Sequence, residues 1–376
     1  MKSLLDYFQN RQGEILESIR NLVEIESPSF DVEGSLAAVD FLIREAEKIG
    51  VDLQIERIFR EDCGEHLVIR AFENVREKPV LLLGHTDTVH PRGSFRENPT
   101  RIEGDRFYGC GVFDMKANCV LILEILRAFS ELNLKPSRPV TILLSCDEEV
   151  GSETGRPLVE REAAKSAFCL VCEPSANGKA KTGRKGTAWL NVKARGVPAH
   201  AGLEPEKGAS AILELSKQIQ KLQALNAPEK GTTVNVCTIK GGTTSNVIPE
   251  FAEMEVDVRF TALSEAERIL GEIQTLESFD SRVSLEIEGG LNRPPLERSE
   301  KIIELYEKAK KIAFEMNYEF GETQVGGASD GNFVAALGVP VLDGLGVTGD
   351  GAHTLREYIL ISDIPKRAAL IASLML

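Results

Sequence analysis

The sequence has no apolar stretch long enough to cross a membrane and no excess of positive charge. None of its hydrophobic runs reaches the roughly 18–20 residues that a bilayer-spanning helix needs, which predicts no membrane partner. The formal net charge is −14, with 58 acidic and 44 basic residues. Nucleic acids and anionic membranes are bound through clustered lysine and arginine, so this charge argues against both kinds of partner.

A disulfide framework is also missing. The seven cysteines are odd in number and have no regular spacing, which favours a reducing compartment. Cys169 and Cys172 form a single C-x-x-C motif, but the segment predicts a strand, where residues three apart face opposite sides. We therefore expect ordinary core cysteines there, and no thiolate metal site or redox pair.

The first ten residues are amphipathic and lack the apolar region of a signal peptide. This favours a cytoplasmic location. A periplasmic or secreted location stays open if a leader has been removed.

The size and composition indicate a globular protein of more than one domain. The chain has 376 residues, of which 42% are hydrophobic and 27% charged. Strands and helices alternate in its first and last parts, which is typical of an α/β domain; an early helix is predicted to begin at the cap Ser35. Between these parts, a strand-helix-strand-strand-helix-strand order predicts a ferredoxin-like α+β domain. Its last strand is predicted at 282–288, followed by a hinge at 289–295.

A histidine and an aspartate follow the first strongly apolar strand. The run at 80–83 predicts a buried strand that stops at Gly84, and His85 and Asp87 come next. Residues two apart in an extended chain point to the same side. A metal-binding histidine usually donates its other ring N–H to a carboxylate, a carbonyl or water, and this pair fits such a unit. The alternative is an ordinary ion pair.

Acidic side chains stand at three more places where ligands are expected. They are Asp114, between a glycine-rich turn and an apolar helix; Glu148 and Glu149, after the apolar strand at 140–145; and Glu173, at the end of a third strand. In open α/β sheets, chemistry gathers at the carboxyl ends of strands. The alternatives are a helix N-cap for the aspartate and a solvated acidic turn for the glutamate pair.

A second imidazole comes from His353, in a late glycine-rich loop. A shared polynuclear metal site explains these residues together better than separate structural roles do. We expect a structural role for His66 and a loop role for His90.

These motifs resemble those of the M20 family of zinc aminoacylases and carboxypeptidases, and most closely its glutamate carboxypeptidase branch. The segments that carry the resemblance are GHTD (84–87), GCGVFDMK (109–116), DEEVGS (147–152), EP (173–174), AHAG (199–202), NVIP (246–249) and His353. The resemblance spans nearly the whole chain, and its motifs occur in the family's order.

The resemblance implies two zinc ions per subunit, although Co²⁺ or Mn²⁺ would suit the same ligands. The implied ligand sets are His85, Asp114 and Glu173 for one ion, and Asp114, Glu149 and His353 for the other. Asp114 would bridge the two ions, and a cis peptide bond would follow it. Asp87 would orient the first histidine.

The resemblance also implies the catalytic groups. Glu148 would be the general base and acid, and it would point away from Glu149 if both were extended. His200 would stabilise the oxyanion in the active site of the partner subunit of a homodimer.

Four residues are implied to bind substrate: Arg259, Asn246, Gly327 and, as a weaker candidate, Lys185. The planar fork of an arginine suits an α-carboxylate. The alternative for Arg259 is a local pair with Asp257 or Glu255.

The resemblance implies a fold of the α/β class. A zinc-exopeptidase-type catalytic domain with a mixed central sheet would comprise residues 1–180 and 292–376. The ferredoxin-like domain at 181–291 would be an inserted dimerisation, or lid, domain.

The implied activity is hydrolysis of the amide bond that joins a C-terminal glutamate-like residue to a peptide or N-acyl group. An N-acyl amino acid deacylase or a di- or tripeptidase would use the same chemistry. A catalytically silent metal-binding homologue is a third hypothesis.

Overall fold

The computed structural model describes residues 2–376, which divide into two compact units. The main unit comprises residues 2–183, 298–325 and 329–376. The inserted unit comprises Arg184–Glu297 and Gly326–Ala328.

Eleven α-helices occur within residues 2–376. They are α1 (Lys2–Asn10), α2 (Gln12–Val23), α3 (Val32–Glu47), α4 (Ser94–Glu97), α5 (Ala117–Glu131), α6 (Arg156–Lys165), α7 (Ala211–Gln223), α8 (Leu263–Gln274), α9 (Glu300–Glu315), α10 (Gly331–Ala336) and α11 (Ile364–Met375). In this described part of the chain, no helix has the length and apolar character required to cross a bilayer.

The strands of the same residues are β1 (Leu53–Arg60), β2 (Gly64–Ala71), β3 (Val80–His85), β4 (Arg101–Glu103), β5 (Arg106–Tyr108), β6 (Val140–Ser145), β7 (Phe168–Val171), β8 (Ala180–Arg184), β9 (Gly186–Arg195), β10 (Thr233–Gly241), β11 (Phe251–Phe260), β12 (Ser284–Arg293), β13 (Glu322–Val325), β14 (Val341–Leu342), β15 (Gly349–Asp350) and β16 (Tyr358–Leu360).

A six-stranded mixed sheet forms the centre of the main unit. Its order is β1-β2-β6-β3-β7-β14. Strands β6, β3, β7 and β14 are parallel, whereas β1 and β2 run antiparallel at one edge. All residues of β3 and β6 are buried, which explains why they form continuous apolar runs without alternation. The predicted α/β class with a mixed central sheet is confirmed.

The inserted unit contains a four-stranded antiparallel sheet of order β10-β11-β9-β12. Alternate residues of β9 and β11 are buried in one apolar cluster with residues from α7 and α8. The chain order and the strand order are those of the predicted ferredoxin-like domain.

The predicted hinge at 289–295 is wrong at its start. Strand β12 continues past Glu288 to Arg293, and both Gly289 and Gly290 stay paired with β9. Gly289 has φ +92°, and a Cβ atom there would clash with the carbonyl oxygen of Trp189. The glycine therefore allows a close strand approach, and the compact unit reaches Glu297, beyond the predicted residue 291.

The prediction that Ser35 caps the early helix is wrong. Helix α3 begins one turn earlier, and the side chain of Asp31 accepts a hydrogen bond from the backbone N–H of Gly34. The Ser35 hydroxyl oxygen instead accepts a hydrogen bond from the backbone N–H of Glu65, at 3.0 Å.

Candidate metal centre and active site

Three parallel strands of the central sheet have their carboxyl ends on the same side of the sheet. His85, the last residue of β3, is opposite Ser145 of β6, and Leu83 is opposite Val171 of β7. The chain that follows each strand therefore begins at one place, as the rule for open α/β sheets requires. This register brings together the segments of His85, the Glu148–Glu149 pair and Glu173.

The predicted ligands form two groups that share one aspartate. In the first, Nε2 of His85 lies 3.1 Å from Oδ1 of Asp114 and 3.4 Å from Oε1 of Glu173. In the second, Nε2 of His353 lies 3.4 Å from Oδ2 of Asp114 and 3.2 Å from Oε2 of Glu149. Within each group, one donor atom per residue lies within 4.8 Å of the others. The two carboxylate oxygens of Asp114 thus face different histidines.

The chemistry of these donors fits metal ions. The Oε1 atom of Glu149 is buried and has no hydrogen-bond partner among the described residues. A buried acceptor without a donor is costly, and a cation satisfies it. Nδ1 of His85 lies 3.0 Å from the carbonyl oxygen of Asp87, so the ring donates its N–H there and leaves Nε2 to face Asp114.

The electrostatics of the centre also favour positive charge. Hydrogen bonds to Asp114 and Glu149 raise the pKa of His353 to about 10. Burial acts against charge on His85, but hydrogen bonds to its carboxylate neighbours raise its pKa well above the usual value. Burial raises the pKa of the Glu149 carboxyl group. Divalent cations would supply the positive charge that these carboxylates require.

Asp87 connects His85 to the acidic turn rather than simply pairing with it. Its carboxylate accepts hydrogen bonds from the backbone N–H groups of Glu148, at 3.1 Å, and Glu149, at 3.2 Å. It also accepts one from the hydroxyl of Ser29, at 2.7 Å. Oδ1 of Asp87 is 3.4 Å from Nδ1 of His85. Asp87 therefore positions two parts of the centre at once.

The glutamate pair is not extended, so the condition under which its side chains would point to opposite sides is not met. Glu148–Val150 forms a single turn of 3₁₀ helix, because both glutamate N–H groups are bonded to Asp87. Glu149 belongs to the second donor group, whereas Glu148 belongs to neither. Glu148 therefore lies beside the candidate metal centre without belonging to either donor group.

The peptide bond between Asp114 and Met115 is cis, as the family resemblance predicts. The loop before it is held by Glu357, which the sequence analysis did not identify. Oε1 of Glu357 accepts hydrogen bonds from the backbone N–H groups of Phe113 and Asp114, at 2.7 and 2.8 Å. Oε2 accepts from Gly111, at 2.9 Å, and lies 2.7 Å from Nε2 of His90. The only sequence signal is an acid four residues after His353.

In the inserted unit, two predicted site residues lie on adjacent loops. His200 forms an isolated bridge with Val247, and the backbone carbonyl of Asn246 accepts a hydrogen bond from Ala201. Nδ1 of His200 accepts hydrogen bonds from the backbone N–H groups of Gly202 and Leu203. In a neutral imidazole the other nitrogen then carries the proton, so this exposed ring presents Nε2–H as a donor.

Arg259 adopts the local pair that was the alternative. Its Nε and Nη2 atoms donate to the carboxylate of Asp257, at 2.9 and 2.8 Å. The carbonyl oxygen of Gly327 accepts a hydrogen bond from Arg184, a buried arginine that the sequence analysis did not single out as a main candidate. Lys185 lies half-buried between β8 and β9.

Comparisons with known proteins agree with this fold. Residues 81–376 match the family described as peptidase family M20/M25/M40. Carboxypeptidase G2 from Pseudomonas sp. (strain RS-16) is 30% identical over 376 residues, covering 98% of this chain and 90% of that protein. A succinyl-diaminopimelate desuccinylase from Verminephrobacter eiseniae is 29% identical over 308 residues, covering 76% and 75%. The crystal structure of aminopeptidase PepT from Bacillus cereus has a TM-score of 0.79 at 22% identity, covering 97% of this chain and 98% of that one.

The fold and the family match define a metallohydrolase of the carboxypeptidase and aminoacylase kind. The chain belongs to peptidase family M20/M25/M40, and the family predicted from its motifs is confirmed.

Proposed function

We propose that this enzyme is a dinuclear zinc hydrolase that releases a C-terminal glutamate-like residue from a peptide or an N-acyl group. One observation carries the metal part of this proposal: the two oxygens of Asp114 face two histidines, each with its own second carboxylate. Histidine and carboxylate ligands without thiolate suit catalytic zinc. When bound, the two metal ions would polarise the scissile carbonyl and lower the pKa of the attacking water.

Two residues beside this centre have roles other than metal binding: one transfers protons and the other positions the ligands. Glu148 takes the proton from the attacking water and passes it to the leaving nitrogen, in keeping with its place beside the ligand Glu149. Asp87 holds the turn of both glutamates and the ring of His85.

We assign substrate contacts to the inserted unit. The Nε2–H of His200 would stabilise the oxyanion in the partner subunit of a homodimer. Arg259, with Asn246, Gly327 and Lys185, would bind the carboxylates of the substrate. For Arg259 this requires an exchange of partners, because its fork is bonded to Asp257. The free cysteines throughout the described chain favour a cytoplasmic enzyme.

Zinc-loaded enzyme is expected to hydrolyse N-benzoyl-glutamate faster than N-benzoyl-leucine, by about 100-fold or more in kcat/KM. A pocket built to bond a second carboxylate rejects the apolar analogue because its polar groups are left unpaired. Release of free amino acid measures both rates. Equal rates would contradict the glutamate preference, and absence of turnover of both compounds would contradict this substrate class.

A second candidate is an N-acyl amino acid deacylase or a di- or tripeptidase. The similarity to a desuccinylase, which covers 76% of this chain, favours the deacylase. Faster release of amino acid from acetyl or succinyl compounds than from N-benzoyl-glutamate would select it. Bound metal without turnover of any of them would favour the catalytically silent homologue.

Replacing Asp87 with asparagine is expected to weaken metal binding by about 10- to 100-fold. Each carboxylate oxygen of Asp87 accepts a hydrogen bond from one backbone N–H of the glutamate turn. In asparagine an N–H₂ group replaces one of these oxygens and cannot accept, so the glutamate turn and His85 would both shift. Competition with a chromophoric chelator measures the affinity. Asp52→Asn, an exposed aspartate, is the matched control. Unchanged affinity in Asp87→Asn would refute its positioning role.

Metal affinity is expected to rise with pH. His353, with a pKa raised to about 10, and His85, with its pKa also raised, hold protons that a metal must displace. Affinity should therefore increase by about tenfold per pH unit for each displaced proton between about pH 6 and pH 8. Chelator competition at several pH values tests this, after correction for protonation of the chelator. A flat profile would show that neither imidazole is a ligand.

A further inference from the structure

A second kind of donor cluster lies in the main unit, and it shares no residue with the carboxylate centre. It consists of Cys63, in the turn between β1 and β2; His66, on β2; and Cys146, directly after β6. Strands β2 and β6 are paired, with Leu67 opposite Leu144, which brings the three residues together. All three are buried, and one donor atom from each lies within 4.8 Å of the others.

The separation of the two sulfur atoms matches one edge of a metal tetrahedron. The two sulfur atoms of Cys63 and Cys146 are 3.7 Å apart. Sγ of Cys146 is 3.7 Å from Nδ1 of His66 and 3.8 Å from Nε2 of the same ring. Tetrahedral zinc, with bonds of about 2.3 Å to sulfur and 2.0–2.1 Å to nitrogen, requires about 3.8 Å between two sulfurs and about 3.6 Å between sulfur and nitrogen. Because Sγ of Cys146 is almost equally far from both ring nitrogens, it lies beside the His66 ring and not ahead of the Nδ1 lone pair. Binding an ion would therefore require a turn of the Cys146 or His66 side chain.

The far side of the His66 ring has the hydrogen bond that a metal-binding histidine requires. Nε2 lies 2.8 Å from the hydroxyl oxygen of Thr154, and that hydroxyl donates its own proton to Asp147. The hydroxyl oxygen must therefore accept a hydrogen bond from Nε2–H, which leaves Nδ1 without a proton. Nδ1 faces Cys146, where its present donor is the backbone N–H of that residue, at a long 3.3 Å. In many metal-bound histidines, the ring nitrogen that does not bind the metal donates its N–H to a carboxylate, a carbonyl or a water, and this hydrogen bond fixes the tautomer.

We propose that Cys63, His66 and Cys146 bind one thiophilic metal ion, Zn²⁺ or its softer analogue Cd²⁺. On binding, each thiol releases its proton to solvent, and the two thiolate charges balance the charge of the ion. The buried site is then neutral overall, which avoids the cost of an uncompensated charge. Thiolates select soft ions, whereas the carboxylate centre does not.

This ion would connect two parts of the main unit. Cys146 immediately precedes Asp147 and the glutamate turn, and Cys63 ends the turn of the β1–β2 hairpin. Three protein ligands leave the fourth position of a tetrahedral ion without a protein ligand, so we expect weaker binding than at a four-cysteine site.

The test is a titration of metal-free wild-type enzyme with Cd²⁺ in the presence of a non-thiol reductant. We expect an ultraviolet thiolate-to-cadmium charge-transfer band that saturates at one such ion per chain. The band reports thiolate ligands and not the carboxylate centre, which contains no sulfur; the serine variants below distinguish this cluster from the other free cysteines. Asp114→Asn, which disables that centre, should keep the band.

Serine variants locate the site. Cys63→Ser and Cys146→Ser should each lose the band, whereas Cys237→Ser, which removes an exposed thiol, should retain it. If a serine variant fails to fold, X-ray absorption of the zinc-loaded wild type decides instead. It should show a sulfur shell at about 2.3 Å that carboxylate and imidazole ligands cannot produce.

Three results would overturn the proposal. One is the absence of both the band and the sulfur shell in the wild type. Another is a band that survives Cys63→Ser. The third is a mass two hydrogens below that of the thiol form before any reductant is added, with the bond mapped to Cys63 and Cys146, which would identify a disulfide.

Discussion

Replacing Glu148 with glutamine is expected to lower kcat by about 10²–10⁴-fold while metal binding stays unchanged. Glutamine keeps the size of the side chain but cannot take a proton from water and return it to the leaving nitrogen. Because Glu148 lies outside both donor groups, its loss removes no ligand. The combination of a slow reaction with full metal content is therefore specific to a general base.

Two further variants make this result readable. Glu149→Gln changes the neighbouring ligand and should reduce bound metal as well as activity, since Oε2 of Glu149 faces His353. Glu153→Gln, an exposed acid in the same segment, should change neither. Steady-state kinetics and the metal content per chain are measured on all three. Retained turnover in Glu148→Gln would remove this residue from the mechanism.

For most residues of the two donor groups, proximity in space could be predicted because local sequence places them. The apolar runs at 80–83 and 140–145 determine where β3 and β6 end, and the polar residues follow directly. Parallel pairing then aligns those ends, as the register of His85 with Ser145 shows. Order along the chain thus translates into proximity in space without knowledge of side-chain packing.

Glu357 could not be predicted for the opposite reason. Its carboxylate accepts hydrogen bonds from backbone N–H groups more than 240 positions earlier in the chain, such as that of Phe113. Every residue except proline has such a donor, so these partners leave no pattern in the sequence. The proximity of Cys63, His66 and Cys146 has no sequence pattern either, because it depends on the pairing of β2 with β6.

The sequence also could not predict which of two suitable residues caps a helix, or which backbone conformation the glutamate turn adopts. Asp31 and Ser35 are both residue types that often cap helix N-termini. Asp31 is the cap here, and the Ser35 hydroxyl instead accepts a tertiary hydrogen bond from the backbone N–H of Glu65. The turn at Glu148 is likewise imposed by the carboxylate of Asp87, which accepts from two successive N–H groups. In both cases a contact from a distant segment decides the backbone.

Replacing Glu357 with alanine is expected to destabilise the metal-free protein by about 3–5 kcal/mol and to weaken metal binding. The side chain is fully buried, and its two oxygens accept from three backbone N–H groups and contact His90. Removing them leaves buried donors without acceptors, each costing about 1–3 kcal/mol. The backbone at Asp114, which both donor groups share, then loses its support.

The more informative variant is Glu357→Gln, which preserves shape. A glutamine has one oxygen, so its N–H₂ group must face either the two donors at Phe113 and Asp114 or the pair at Gly111 and His90. We therefore expect a smaller loss of stability than in the alanine variant, with metal affinity still reduced. Chemical unfolding of the metal-free protein and chelator competition measure the two effects separately.

Glu214→Gln is the matched control for Glu357→Gln. Glu214 is a buried carboxylate of the inserted unit that accepts from the backbone N–H groups of Phe279 and Asp280 and from Gln218. Its replacement should lower stability for the same physical reason and leave metal affinity unchanged, because it supports no ligand. If both variants lost stability and both kept full metal affinity, Glu357 would be a structural residue only. Loss of affinity confined to Glu357→Gln would establish that this carboxylate positions Asp114.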